Sequence, residues 1–348
     1  MSEKLPENQG EDNVWKKRAL HLQRMLNDRD TSVAEAQLLA SAIAENVQAR
    51  PPLKVRKYAP RKADPKVRGG ILDIGDVHWG ETVDPRNTGG FAYNTEIAAA
   101  RLDYTLDEAI EIAKDHRLGH LDVILGGDLV SGAIHDDLNR HNEMMVAEQT
   151  VSFAETMYGG LEKLLSAGIT LDVTSVSGNH GRVMMREKGY FKNKQQENYD
   201  WISTKMMEAY AKKQKGVEFH VPDTVWALLE VAGRRFLTMH GDTNRQQNSM
   251  GISFYAVEKE MRRLKTMIVD QTIEPHDDVI SHHRHQQFMV PIGNTMFYNN
   301  GALKGPDEYG MMGLRPPEQA QQQMIIVQEG RVKAHYPIVS QHVAGRAE

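Results

Sequence analysis

The pattern of apolar and polar positions changes near residue 69. Before this point, two stretches carry apolar residues at the spacing of an α-helix. Their apolar positions are Trp15, Ala19, Leu22 and Leu26 in the first stretch and Val33, Ala36, Leu39 and Ile43 in the second. This pattern predicts an N-terminal helical segment over residues 1–50, arranged as a helical hairpin or a short coiled segment. Such a segment could support self-association or the docking of another protein.

From residue 69 onward, short β-rich runs alternate with segments of helical period. The strand candidates are GILDIGDVHW, LDVILGGDLV, LDVTSVSGNH, RRFLTMHGD and DDVISHHRH. The segments TEIAAARLDYTLDEAIEIAKDH and AETMYGGLEKLLSAG between them predict helices. Strands that alternate with helices indicate an α/β core. The tail QAQQQMIIVQEGRVKAHYPIVS is predicted to form a hairpin that turns at Glu329 and Gly330.

The two parts are joined by a basic, proline-rich stretch over residues 51–68. The run PPLKVRKYAPRKADPKVRG contains seven lysines and arginines, four prolines and one aspartate. Such a composition cannot bury a core, so we interpret it as an extended linker or arm. Two readings remain open: a solvated tether, or an arm that follows a phosphate backbone through its charge.

Composition narrows the class of protein. A chain of 348 residues with 40% apolar and 26% charged residues is ordinary for a soluble globular protein of one large or two smaller domains. Cysteine is absent, which excludes disulfides and thiolate metal sites and fits a reducing compartment. No apolar run is long enough to span a membrane, and the first residues lack the apolar region of a secretory signal. We therefore expect a cytoplasmic protein with no membrane association.

Each of the five strand candidates ends in residues that can bind a metal. The residues are Asp76, His78, Asp128, Asn179, His180, His240, Asp242 and the histidines of HHRH at 282–285. The carboxyl ends of strands in an α/β sheet face one edge, where ligands gather. Because side chains alternate along a strand, two ligands spaced by two residues are expected to share a face. Histidine and carboxylate ligands suit Mn, Fe or Zn, and a pair of such ions can catalyse phosphoryl displacement.

Five motifs in order resemble the calcineurin-like metallophosphoesterase superfamily. They are GDVH, GGD, GNH, MHGD and HHRH, and the resemblance covers roughly residues 69 to 340. Each motif alone is weak, whereas the ordered set is specific. The resemblance implies an α/β fold in which a two-sheet β-sandwich is flanked by helices, with a catalytic domain over 69–345 and the N-terminal helical segment as an extension.

The resemblance also implies a dinuclear site with two divalent transition metal ions, Mn being favoured over Fe, Zn and Ni. The ligands of one ion would be Asp76, His78, Asp128 and His285. The ligands of the other would be Asp128, Asn179, His240 and His283. A hydroxide between the ions would attack phosphorus, and His180 would lie outside the metal shell to stabilise charge or protonate the leaving oxygen.

The chain departs from the family pattern after G-N-H, where the family usually has an acidic residue that orients the histidine. Here Gly181 follows, so His180 must be oriented by another group, with Asp242 and Asp136 as candidates. Arg182 is a candidate phosphate clamp and catalytic residue, because a guanidinium binds phosphate oxygens in a bidentate fork. The alternative is an arginine in a surface loop.

A second departure is His282, which stands where the family has glycine. We expect His282 to point to the opposite face as a packing or supporting residue, and Arg284 to face away from the site. The alternative register would make His282 a ligand in place of His283. Two further residues are candidates for substrate binding: Arg245, and His135, whose alternative role is a polar helix start.

The substrate class follows less directly, because a fold and its motifs define a reaction type. The chain is similar to the phage and bacterial DNA repair exonuclease-like branch of the superfamily, but it lacks a clear counterpart of the DNA-binding capping domain. We expect a phosphodiesterase or nuclease acting on DNA or nucleotides, located in the host cytoplasm if the chain is phage-encoded. The alternatives are a phosphomonoesterase acting on proteins or nucleotides, and a non-catalytic binding protein on the same fold.

Overall fold

The computed structural model describes residues 68–134, 141–183, 197–242, 254–312 and 318–345. The predicted N-terminal helical segment, the basic linker up to residue 67, His135, Asp136 and Arg245 lie outside the described residues. The predicted domain boundaries therefore stay predictions.

The first sheet has six strands. From one edge to the other they are β11 (Arg331–Val339), β10 (Gln321–Gln328), β1 (Arg68–Ile74), β2 (His120–Leu125), β3 (Thr170–Ser175) and β4 (Val217–His220). Strands β1 to β4 are parallel, and β10 is antiparallel to both of its neighbours. The hairpin of β10 and β11 turns at Glu329 and Gly330, as predicted, and both residues have positive φ.

The second sheet has five strands. Their order is β5 (Trp226–Val231), β6 (Arg234–Met239), β7 (Asp278–Ser281), β9 (Thr295–Asn299) and β8 (Phe288–Ile292). Strands β6, β7 and β9 are parallel, and the two outer strands are antiparallel to their neighbours. The sequence pattern did not predict β4, β5, β8 and β9. Three of these strands, β4, β5 and β8, lie at sheet edges, where half-buried or exposed residues occupy at least every second position.

The described helices flank the two sheets. They are α1 (Thr95–Asp115), α2 (Val146–Ser166), α3 (Tyr199–Ala211), α4 (Phe254–Val269) and the short α5 (Glu308–Met312). Helix α1 begins at Asn94, whose side chain accepts a hydrogen bond from the Ile97 N–H. Helices α1, α2 and α3 pack against β11, β3 and β4 of the first sheet. None of the described helices has the length and apolar character needed to cross a membrane.

The main core lies between the two sheets. Ile71, Ile124 and Ile325 of the first sheet pack with Phe236 and Ile280 of the second, and all five are fully buried. A second cluster joins α4 to the outer face of the second sheet, with Val257, Met261 and Leu264 against Leu237 and Val279. The chain is therefore an α/β protein with two mixed sheets flanked by helices, which confirms the fold predicted from the sequence.

Candidate metal centre

Eight residues from the sequence motifs come together at one edge of the sandwich. They lie in the loops that follow β1, β2, β3, β6 and β7 and are Asp76, His78, Asp128, Asn179, His180, His240, His283 and His285. Their roles as ligands stay predictions, but their proximity is a property of the structure. Their donor atoms form three overlapping groups, in each of which the atoms lie within 4.8 Å of one another.

The first group consists of Asp76, His78 and His285. The Nε2 atoms of His78 and His285 are 3.0 Å apart, and the His285 Nε2 is 3.8 Å from the Asp76 Oδ1. Asp76 and His78 are completely buried, whereas His285 is partly exposed. Three donor atoms from two separate loops thus face one small volume that is accessible from one side.

The second group consists of Asp128, His240 and His283. The His240 Nε2 lies 3.0 Å from the Asp128 Oδ2 and 3.3 Å from the Asn179 Oδ1. The Asp128 carboxylate also lies near His78, since these two residues form a third group of close donor atoms with His180. Asp128 therefore stands between the two groups, which is the position a shared ligand would need.

The backbone at these residues explains how they converge. Among the described residues, nine that are not glycine have positive φ. Five of the nine are predicted ligands: Asp76 (47°), His78 (52°), Asp128 (48°), His283 (72°) and His285 (59°). Aspartate and histidine adopt this left-handed conformation at some cost, and such strain collects at functional sites.

The geometric argument made from the sequence is wrong about how these side chains come together. Alternation along a strand was expected to place Asp76 with His78, and His283 with His285. Strand β1 ends at Ile74 and β7 ends at Ser281, so both pairs lie beyond their strands. Successive left-handed turns, and not strand alternation, direct these side chains into the site.

The histidine pKa values favour neutral rings. Burial lowers the pKa of His78 and His283 well below its usual value, and neighbouring positive charges reinforce the effect. Burial, followed by the Lys304 ammonium, lowers the pKa of His285 to about 3. A neutral imidazole has the lone pair that metal ligation requires, so these three rings are in the correct state near pH 7.

His240 shows why the centre suits a cation. Its Nδ1 lies 2.9 Å from the Gly126 carbonyl, which can only accept, so Nδ1 carries a hydrogen. The Nε2 of the neutral ring would then direct its lone pair at the Asp128 carboxylate. Burial opposes a charged ring, but the Asp128 charge and hydrogen bond raise the pKa of His240 to about 10. A proton or a metal ion can fill this position, and the donor set fits a divalent metal.

The Asp76 carboxylate supports the same conclusion. Its Oδ2 accepts a hydrogen bond from the His283 N–H, whereas its buried Oδ1 accepts none from the described residues. Burial raises the pKa of Asp76 to about 6, and the Asp128 charge adds to this shift. A buried carboxylate oxygen without a donor is costly unless a cation is present.

Asp200 on α3 holds two loops of the centre, and the sequence analysis did not find it. Its buried carboxylate accepts hydrogen bonds from the N–H groups of Asp128, Leu129, Val130 and Gly178, at 2.9 to 3.3 Å. Burial, followed by the nearby Asp128 charge, raises the pKa of Asp200 to about 6. One side chain thus fixes both the loop of Asp128 and the loop that carries Asn179.

Glu81 and Lys304 form a buried ion pair behind the first group. The Lys304 Nζ lies 2.9 Å from the Glu81 Oε1 and 2.6 Å from the Asp307 Oδ2. The other Glu81 oxygen is 3.3 Å from the His78 Nδ1. A carboxylate at this nitrogen favours hydrogen on Nδ1 and leaves Nε2 for a ligand, as outer-sphere carboxylates do in metal sites.

His180 is oriented by a main-chain group. Its Nδ1 is 2.8 Å from the carbonyl of Ser131, and its own N–H donates to the Asp128 Oδ1 at 2.7 Å. Asp242, one of the two candidates from the sequence, instead pairs with Arg182. The Ser131 carbonyl is thus a partner of the His180 ring that the sequence analysis did not name. Asp136 lies outside the described residues, so its role as a partner, like that of Arg182 as a phosphate clamp, stays a prediction.

His282 is a packing residue, as expected. It is fully buried, and its Nε2 lies 2.8 Å from the Asp73 Oδ1 while its Nδ1 faces the Met239 carbonyl at 3.3 Å. Arg284 points toward α4, where it pairs with Glu260 at 2.9 Å. The sequence held a signal for the His282–Asp73 pair, because a charged residue such as Asp73 inside the apolar strand LDI requires a buried partner.

The His282–Asp73 pair predicts a large effect at Gly126. A Cβ added to Gly126 would lie 2.0 Å from the His282 Nε2, and the ring cannot retreat without losing Asp73. We expect Gly126→Ala to lower the free energy of unfolding by about 3 kcal/mol, combining overpacking with a damaged charged hydrogen bond. Urea denaturation of the metal-free protein measures the effect.

Gly159 in α2 provides the matched control, because a Cβ there meets nothing within 4 Å. Gly159→Ala should stabilise the protein by roughly 0.5–1 kcal/mol through its helix propensity. In a His282→Ala background, the cost of Gly126→Ala should fall to less than half. Equal stability of Gly126→Ala and the parent protein would show that His282 does not occupy this position.

Comparisons with known proteins give a limited result. Neither protein-family models nor curated protein sequences match the chain. Among solved structures, it is similar to a conserved uncharacterized protein described as a predicted phosphoesterase, from Streptococcus pneumoniae TIGR4, at 11% identity and TM-score 0.34, over 81% of this chain and 93% of that one. It is also similar to a novel archaeal phosphodiesterase at 12% identity and TM-score 0.35, over 77% and 99% of the two chains. Vacuolar Protein Sorting 29 from Cryptosporidium parvum has 14% identity and TM-score 0.37, over 78% and 99%.

With identities and TM-scores this low, the comparisons decide neither the family nor the activity. What the structure itself defines is a class: an α/β sandwich with a buried histidine and aspartate centre suited to divalent metal ions.

Proposed function

We propose that the protein is a metal-dependent phosphoester hydrolase of the metallophosphoesterase type, with two divalent ions at the candidate centre. The observation that carries this proposal is the arrangement of two donor groups around a shared Asp128, with five of the seven predicted ligands in left-handed backbone conformations. A degenerate site would be expected to lose ligands, and this chain retains all seven. The ordered motifs in the sequence support the same reaction type.

The proposed assignment of ligands follows the two groups. Asp76, His78 and His285 would hold one ion. The other would be held by His240, His283 and Asn179, with Asp128 as a ligand to both. Such ions would supply an activated water and stabilise the charge on the phosphoryl oxygens. Manganese is our first choice on the resemblance in the sequence, and the nitrogen and oxygen donor set also suits Fe, Zn and Ni.

Residues of the chain itself would then transfer protons and orient the reacting groups. The Ser131 carbonyl accepts from Nδ1–H of His180, so Nε2 is the nitrogen left to exchange a proton: in the imidazolium form it would donate its hydrogen to the leaving oxygen and return to the neutral ring. His180 is also close enough to be a ligand itself. Its backbone N–H donates a hydrogen bond to the Asp128 carboxylate, so it would also orient the proposed shared ligand. Arg182 lies beside the centre in its pair with Asp242 and could turn toward a phosphate.

The substrate proposed is a phosphodiester in DNA or nucleotides. The chain has a basic, proline-rich stretch at 51–68 directly before the catalytic domain, and such a segment can follow a phosphate backbone. The N-terminal helical segment is proposed to support self-association or protein docking. A phosphomonoesterase and a non-catalytic binding protein are the competing functions.

A side-by-side substrate assay tests these proposals. Single-stranded DNA, duplex DNA, RNA, cyclic nucleotides, a bis-aryl phosphodiester and a phosphopeptide are each incubated with the full chain and Mn²⁺. We expect hydrolysis of the bis-aryl diester and of at least one nucleic acid or nucleotide. Removal of residues 1–68 should weaken DNA binding more at low salt than at high salt.

The alternatives have distinct outcomes in the same assay. Activity on monoesters alone would exclude the nuclease proposal. No hydrolysis of any substrate by protein with both ions bound would favour the binding protein. Fewer than one bound transition metal per chain after Mn²⁺ reconstitution would overturn the enzyme proposal altogether.

A further inference from the structure

A second group of side chains that could hold a metal lies on strands β2, β3 and β4 of the first sheet. Strands β2, β3 and β4 place Asp122, Asp172 and Glu218 side by side, because Asp122 pairs with Asp172 and Asp172 pairs with Glu218 in the parallel register. His120 precedes Asp122 by two residues and His220 follows Glu218 by two, so both share that face of the sheet. We call these five residues the β2–β4 cluster.

Within the described ranges, histidine is the only basic residue type that pairs with the carboxylates of this cluster. Like charges directly opposite one another on neighbouring strands are destabilising. Among the residues that the structure describes, no lysine or arginine forms an ion pair with Asp122, Asp172 or Glu218. The closest positive candidate is His120, whose Nε2 lies 3.8 Å from the Asp122 Oδ2 and 3.7 Å from the Asp172 Oδ2. A cation would therefore stabilise this face.

The His120 ring is held in an orientation that suits a ligand. Its Nδ1 lies 2.9 Å from the Thr170 hydroxyl, and that hydroxyl donates its hydrogen to the Gly119 carbonyl at 3.2 Å. The hydroxyl therefore accepts a hydrogen bond from Nδ1–H, and Nε2 of the neutral ring directs a lone pair at the two carboxylates. A lone pair that faces two anionic oxygens is unfavourable unless a cation lies between them.

The distances fit chelation better than hydrogen bonding. At 3.7 and 3.8 Å, the contacts between His120 and the carboxylates are too long for hydrogen bonds. Two ligand atoms on one tetrahedral zinc ion lie roughly 3.3–3.4 Å apart, given bond lengths of about 2.0–2.1 Å. Small rotations of these partly exposed side chains would move their donor atoms by a few tenths of an ångström and bring them to the separation of zinc ligands. The donor atoms of His120, Asp122 and Asp172 all lie within 4.8 Å of one another.

We propose that the β2–β4 cluster binds one divalent transition metal ion of the zinc type through His120, Asp122 and Asp172. The ion would join β2 to β3 and would act in stability. Zinc is favoured over magnesium and calcium because the donor set contains an imidazole nitrogen, and those two ions prefer oxygen ligands. Glu218 lies on the far side of Asp172 and its charge would add to the negative field.

Protonation at the cluster agrees with this geometry. Burial, followed by the Asp172 charge, raises the pKa of Asp122 to about 7, and burial lowers the pKa of His120. Zinc would compete with protons for these side chains.

Zinc titration of the metal-free full chain tests the proposal. Two parents are used, the natural chain and Asp128→Asn, each with and without His120→Ala. Isothermal titration calorimetry should show one zinc equivalent fewer with His120→Ala in both backgrounds. Zinc should raise the melting temperature of Asp128→Asn by more than that of the double variant, and magnesium should not replace zinc.

Matched variants separate the proposal from nonspecific effects. His276→Ala removes a half-buried histidine whose Nδ1 faces a carbonyl outside any metal group, and it should keep the parent's zinc stoichiometry. Asp172→Asn is the second test variant, in case His120→Ala disturbs the strand. Equal zinc stoichiometry and affinity in both test variants and their parents would overturn the proposal. This result is independent of the hydrolase proposal, because the comparison is made within each background.

Discussion

Asp128→Asn is expected to lower phosphoester hydrolysis by at least on the order of 10³-fold, equivalent to roughly 4 kcal/mol of transition-state stabilisation. Asp128 lies between the two donor groups, with its Oδ1 fixed by the His180 N–H and its Oδ2 facing His240. Asparagine has the same shape but only one acceptor oxygen and no charge. It would direct an NH₂ group at one of its two neighbours and weaken both proposed ions together.

Two measurements separate loss of metal from loss of fold. Circular dichroism of the metal-free variant should match that of the parent, while Mn²⁺ titration should show lower affinity or stoichiometry. Asp107→Asn is the control, since Asp107 pairs with Lys163 on the exposed face of α1 and is distant from the centre. Asp128→Asn with parent activity and parent metal content would rule out the shared ligand.

The sequence predicted which residues lie at the candidate centre better than it predicted the backbone conformation that places them there. The motif residues at 76, 78, 128, 179, 240, 283 and 285 could be found because histidine and aspartate after apolar strands are a specific chemical pattern. The left-handed backbone conformations of these residues could not be predicted, because histidine and aspartate, unlike glycine, do not indicate a positive φ. The alternation argument therefore placed these residues together for an incorrect geometric reason.

The supporting residues were harder to predict for a different reason. Asp200 binds four backbone N–H groups, and backbone groups look alike in every sequence. The Ser131 carbonyl that orients His180 is a main-chain group for the same reason. By contrast, Glu81 and Lys304 are charged residues in a buried region, but they are 223 positions apart and only the fold brings them together.

Asn198 and Asp200 fill the space beside Gly181, the residue that follows the G-N-H motif. A Cβ added to Gly181 would lie 2.2 Å from the Asn198 Oδ1 and 3.0 Å from the Asp200 Cγ. An acidic side chain at position 181 would therefore collide with the start of α3. The chain supplies a buried carboxylate next to the G-N-H loop from this helix instead, and it directs that carboxylate at the main chain and not at His180.

This arrangement predicts that Asp200→Ala destabilises the protein by about 4 kcal/mol or more. The change leaves four N–H groups without their acceptor in a buried site, and each unsatisfied group costs roughly 1–3 kcal/mol before relaxation or water entry. Chemical denaturation of the metal-free protein measures the loss. Asp103→Ala is the control, because its exposed pair with Lys163 should be worth about 0.5 kcal/mol or less.

The same carboxylate should also influence metal binding in the protein that remains folded. Asp200 fixes the Asp128 N–H directly and the Gly178 N–H next to Asn179, so its loss frees two loops that carry proposed ligands. We expect Mn²⁺ affinity to fall by about 10- to 100-fold, as it does when outer-sphere partners of a metal site are removed. Asp200→Asn retains one acceptor oxygen and should be intermediate in both measurements. If Asp200→Ala stays within 1 kcal/mol of the parent and binds Mn²⁺ equally well, the two loops are held by the sandwich core and not by this side chain.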